Sequence, residues 1–98
     1  MADYELTKEA DLRLAEIYRY SIRKFGLKTA RRYLTGMHQA FALLAENPLL
    51  GTVQELIKPG YRRLVYESHV IYYRPAKKGV LIIEVLHEAQ DPARHFAT

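Results

Sequence analysis

The apolar residues of this chain keep a helical rhythm up to Pro48 and change to alternation from Tyr61. Ala10, Leu14, Ile17, Ser21 and Phe25 fall on one helical stripe, widened by Tyr18 and Ile22. Thr7 stands where an N-cap is needed, and Glu9 and Asp11 occupy the first turn, where the helix dipole favours anions. Arg23 and Lys24 complement the other end, and Gly26 is placed to stop the helix in a left-handed conformation. The pattern predicts a helix from Lys8 to Phe25.

A second stripe of Ala30, Tyr33, Leu34, Met37, Phe41 and Leu44 predicts a helix from about Lys28, ended by Asn47-Pro48, because proline pushes the residue before it out of the helical region. Gly26-Leu27 is too short for anything but an antiparallel helix hairpin. Leu49 to Gly60 has no period. Tyr61–Tyr66 and His69–Arg74 then read as strands joined tightly at Glu67-Ser68, with Pro75 closing the second. Lys77-Lys78-Gly79 turns the chain into Val80–Leu86, apolar almost throughout and therefore expected inside a sheet covered on both faces. Tyr4-Glu5-Leu6 is a short candidate strand. The expected fold is one α+β domain over residues 1–98: a short N-terminal strand, then an antiparallel helix hairpin packed on an antiparallel β-meander.

At 98 residues and 49% hydrophobic, the chain is sized for one core. It has no cysteine, hence no disulfide or thiolate metal site, which suits a reducing compartment. No stretch approaches the ~20 apolar residues of a membrane span, and the first residues lack the features of a secretory signal. A cytoplasmic protein without membrane contact is expected. The formal net charge of +4 is unevenly spread. Between Ile17 and Ala45 stand Arg19, Arg23, Lys24, Lys28, Arg31 and Arg32 without one acidic residue, a block suited to steering an acidic partner or to plain solvation.

The candidate chemistry is limited. His38, His69, His87 and His95 lack metal-ligand spacing, and the glycines form no phosphate loop, so no metal or cofactor is expected. Ser21 and Ser68 are not on a nucleophile elbow. A metal-free ribonuclease would need groups that move protons and fixed positive charge for the phosphorane. His87 could act as acid or base, Arg62 or Arg63 could supply charge, and Lys58 could assist. Each residue also has a structural reading: one of the two arginines in an alternating strand must face away from the helices, about half of Tyr61, Tyr66, Tyr72 and Tyr73 should pack, and Asp91 could pair with Arg94 or cap a final turn.

The passages Leu44–Pro48 followed by Gly51, Gly60–Tyr66, His69–Arg74, and Val85-Leu86-His87 followed by Asp91 and Arg94-His95 together resemble ParE toxins of bacterial type II toxin–antitoxin modules, within the RelE/ParE superfamily. Ribosome-dependent nucleases of that superfamily generally carry an arginine in or just after the last strand, whereas here Glu88, Ala89 and Gln90 follow His87. The resemblance therefore implies a RelE/ParE-like fold and a toxin that inhibits DNA gyrase without being an enzyme. A ParD-type antitoxin would neutralise it in a hetero-oligomer. Ribosome-dependent mRNA cleavage and a weakly toxic antitoxin-binding module are the alternatives. Target contacts are expected at Arg62, Arg63, Arg74, His87 and Arg94. Antitoxin contacts are expected at Arg19, Arg23, Arg31, Tyr18, Tyr33 and Tyr72. No sequence-specific nucleic-acid binding is expected, since the charge is small for it.

Overall fold

The computed structural model describes residues 2–96. Strand β1 (Asp3–Leu6) leads into helix α1 (Lys8–Phe25), followed by α2 (Leu27–Glu46), β2 (Thr52–Val53), β3 (Arg62–Tyr66), β4 (His69–Ala76), β5 (Gly79–His87) and α3 (Pro92–Phe96). The hairpin and the antiparallel meander β3-β4-β5 are as the patterns predict. The five-stranded sheet is mixed, in the order β1-β5-β4-β3-β2, because β1 lies parallel to β5.

Thr7 caps α1 by accepting the Ala10 N–H at 3.0 Å, and its hydroxyl also donates to the Ile83 carbonyl at 2.7 Å. One residue thus starts the helix and fixes it to the sheet. Gly26 ends α1 with φ +90° and ψ 164°, an extended exit rather than the expected left-handed stop. The single residue must leave one helix and enter the next, and only glycine takes that positive φ without strain. Phe25, placed on the buried stripe by the sequence pattern, is 59% exposed, because it borders an open cavity between the hairpin and the sheet instead of entering the core.

The principal core lies between hairpin and sheet. Ala10, Leu14 and Ile17 from α1 and Met37, Phe41 and Leu44 from α2 meet Ile71, Tyr73, Val80, Ile82 and Val85. Each of the larger of these side chains is worth about 1.5–3 kcal/mol by burial. A smaller cluster of Val70, Tyr72 and Leu86 occupies the opposite, outer face and is covered by Phe96 of α3. Tyr72 and Tyr73 are therefore both buried, on opposite sides of the sheet.

Two short elements, β2 and α3, carry too few residues to show a period. Pro75 does not close β4: it pairs with Val80 inside the strand. The neighbouring β3 has already ended opposite Tyr73, so the missing N–H falls on an unpaired edge. Asp91 caps α3, its Oδ1 accepting the Ala93 N–H at 3.0 Å, in preference to pairing with Arg94. Between β4 and β5 the register shifts at Tyr72/Tyr73, where β5 absorbs Ile83 as an extra residue. Tyr73 also secures the irregular segment after α2. Its hydroxyl donates to the Pro48 carbonyl and accepts the Gly51 N–H, both at 2.8 Å.

Candidate functional site

The two-residue connection at Glu67 and Ser68 sets His69 directly opposite His87, at the end of the sheet nearest the hairpin tip. Ser68 and Glu88 flank this pair with a backbone hydrogen bond of 2.8 Å, so the two histidines form a non-hydrogen-bonded pair whose side chains approach closely. Their rings meet edge to face at 5.5 Å. Tyr33 reaches down from α2, and its hydroxyl lies 2.6 Å from His69 Nδ1 and 3.4 Å from Ser68 Oγ.

These residues line one wall of a cavity of about 630 Å³. Arg13, Glu16, Tyr20 and Lys24 of α1 form the facing wall, Phe25, Thr29 and Tyr33 close the hairpin end, and Glu67, Val85 and Gln90 complete the sheet side. The volume is in the range of ligand clefts, and its lining joins apolar surface with a few converging polar groups. Burial pushes the His69 imidazole below its ordinary range; the neighbouring His87 adds to this and Glu88 opposes it. His87 accepts the Ala89 N–H at Nδ1, at 3.1 Å. With that lone pair engaged, Nε2 is the ring nitrogen left to donate a hydrogen bond.

The geometry separates the residues of the nuclease reading. Arg62 lies four residues from the Tyr66–His69 pair along β3, roughly 13 Å at the rise of a strand. Its guanidinium donates to the Leu49 carbonyl at 3.2 Å and the Gly51 carbonyl at 2.7 Å, so it clamps the loop that Tyr73 also holds. Lys58 is exposed in the turns before β3, beyond the Arg62 end. Among the described residues, no group of three His, Cys, Asp or Glu side chains could hold a metal ion.

Three of the expected target contacts belong to the side of the sheet away from the hairpin. Arg63 pairs with buried Tyr72, Arg74 follows two residues later on the same face, and Arg94 belongs to α3, whose Phe96 packs on Tyr72 and Tyr61. Of the expected antitoxin contacts, Tyr33 lines the cavity, while Tyr18 and Arg31 line a second, shallower hollow with Tyr4, Leu34 and His38. Arg19 and Arg23 are exposed on α1. Tyr72 is 2% exposed, so with α3 in place it packs and offers nothing to a partner.

Sequence reasoning passed over Glu84. This carboxylate is 3% exposed inside the apolar strand, and it accepts from Arg13, from the Val85 N–H at 2.9 Å and lies 3.0 Å from His95 Nε2. An acid within an otherwise apolar strand was the available signal, since a buried charge requires partners.

A helix hairpin packed on one face of a small mixed sheet, with an antiparallel meander at its centre, is the architecture of the RelE/ParE class. The family described as ParE toxin of type II toxin–antitoxin system, parDE, matches residues 4–92, and the chain belongs to it. It is 34% identical over 96 residues to Toxin ParE1 of Caulobacter vibrioides, covering 98% of this chain and 99% of that one. It is 36% identical over 94 residues to Toxin ParE of Escherichia coli, covering 93% and 89%. Toxin ParE1 of Mycobacterium tuberculosis is 33% identical over 94 residues, with 95% and 96% covered. A chain from the chromosomal ParDE system of P. aeruginosa shares the fold, with a TM-score of 0.75 at 20% identity, over 89% of this chain and 96% of that one.

Proposed function

We propose that this toxin acts in the cytoplasm by inhibiting DNA gyrase, trapping the cleaved DNA intermediate, and that a ParD-type antitoxin neutralises it by direct binding. The observation that carries this reading is the family match over residues 4–92, nearly the whole described chain. The distribution of surface chemistry supports it. The groove of Tyr33, His69 and His87 suits an ordered peptide segment, and the basic hairpin bearing Arg19, Arg23 and Arg31 suits an acidic one. Arg63, Arg74 and Arg94, on the other side, are the proposed target contacts. Arg62, committed to the Leu49 and Gly51 carbonyls, acts by holding the adjacent loop.

The nuclease alternative draws little support. It needs His87 and an arginine at one reacting centre, and Arg62 and Arg63 stand toward the other end of the sheet from His87.

The test mixes the purified chain with gyrase, ATP and plasmid, quenches with detergent and protease, and looks for linear DNA. Linear DNA that requires both proteins supports the poison reading. Cleavage of mRNA only on ribosomes would replace it with the nuclease alternative. Silence in both assays, with antitoxin binding intact, would leave an antitoxin-binding module.

A further inference from the structure

Glu67 is the one non-glycine residue with positive φ among the described residues, at +52°. It is the first central residue of the two-residue turn between β3 and β4, where glycine or asparagine would relieve the backbone. A left-handed conformation at an ordinary L-residue is unfavourable, and nothing local repays it here. The Glu67 side chain is exposed, and no Lys, Arg or His stands within ion-pair distance among the described residues. The same residue lines the groove on its sheet side, next to Ser68 and His69. Strain of this kind concentrates at functional sites, where a side chain is kept for something other than the fold.

The other charges of the groove narrow what Glu67 meets. Arg13 is committed to Glu16 and Glu84 and cannot serve as a free cation. Lys24, on the α1 wall, lies 3.1 Å from the Tyr20 hydroxyl and has no carboxylate partner among the described residues. An occupant complementary to these walls carries a cation against the turn, apolar side chains over Ile17, Phe25 and Val85, and an acid toward Lys24.

We propose that Glu67 is a specificity-determining contact of the groove, accepting a lysine or arginine side chain of the bound antitoxin segment. This deepens the antitoxin reading above and rests on it. A carboxylate at the mouth of a half-apolar groove gives a charge-assisted bond, which discriminates between partners more than it adds raw affinity. The cost in fold stability is then the counterpart of partner choice.

The experiment sets two variants against the wild-type chain, using a purified ParD-type antitoxin as the partner. Glu67→Gly removes both the strain and the carboxylate, and Glu67→Gln removes only the charge. The proposal expects a higher melting temperature for Glu67→Gly, and a loss of antitoxin affinity of about tenfold or more in both variants, the scale of one hydrogen bond to a charged group. The wild-type affinity should also depend more steeply on salt than that of either variant. Unchanged affinity in both variants overturns the proposal, whatever happens to stability. A wild-type chain that binds no antitoxin at all overturns the antitoxin reading itself, a result distinguishable from the first.

Discussion

Arg13 lays Nε and a terminal nitrogen against the two carboxylate oxygens of Glu84, at 3.1 and 3.2 Å, joining α1 to β5. Both partners bond further, Arg13 to Glu16 at 2.8 Å and Glu84 to the Val85 N–H and His95. The Glu84 hydrogen bond raises the Arg13 guanidinium further above its ordinary range, against the opposing effect of burial.

Breaking this pair from the arginine side should cost more than an exposed ion pair, because it strands a buried carboxylate. Arg13→Ala is expected to destabilise the fold by about 3 kcal/mol, against ~0.5 kcal/mol for Glu16→Ala, whose bond is exposed. Urea unfolding of both variants checks the ratio, and equal costs would show that Glu84 is supported without Arg13.

Tyr73→Phe isolates the loop anchor. It removes one hydroxyl that serves both Pro48 and Gly51 and leaves the ring in the core. The expected loss is about 1–3 kcal/mol, since the Gly51 N–H becomes an unsatisfied buried donor. Faster hydrogen exchange at Gly51, with helix amides unchanged, is the accompanying signature.

Gly36 shows packing overriding helix propensity. A Cβ there would meet the Tyr66 hydroxyl, which donates to the Tyr33 carbonyl at 3.2 Å. Replacing a helical glycine by alanine ordinarily gains ~1 kcal/mol. Here Gly36→Ala is expected to lose about 1 kcal/mol net, as overpacking outweighs that gain. In a Tyr66→Ala background the same substitution should be stabilising, and thermal melts of the four proteins decide it.

His69 makes stability depend on pH. Its imidazole is lowered from 6.5 in the fold, so below 6.5 the unfolded chain binds more protons than the folded one. Stability therefore falls as pH drops from 6.5 toward the lowered folded value, and is regained as pH rises. His69→Gln should flatten the slope below neutrality, measured by urea midpoints. An unchanged slope would assign it to other groups.

The helices were legible because eighteen and twenty residues are long enough to show a stripe, and because Thr7 and Asn47-Pro48 marked their ends. The tight turn at Glu67-Ser68 and the apolar final strand made the meander legible. The groove was not, because it depends on which residues face each other across strands. Tyr72 and Tyr73 have the same chemistry in the sequence, yet one packs under Phe96 and the other inside the principal core. Glu84 was hidden by its neighbours, and β2 by having only two residues.

The single extra residue at Ile83 changes the parity of the last strand. Before it, even-numbered positions such as Val80 and Ile82 face the helices; after it, odd-numbered Val85 takes that side. Counting back in twos from the Gly79 turn would put His87 on the outer face and set Leu86 opposite His69. The inserted residue brings the two imidazoles to one wall instead. A one-residue deletion at this point could leave a well-formed sheet that no longer has the groove, so the recognition surface and the strand can be lost separately.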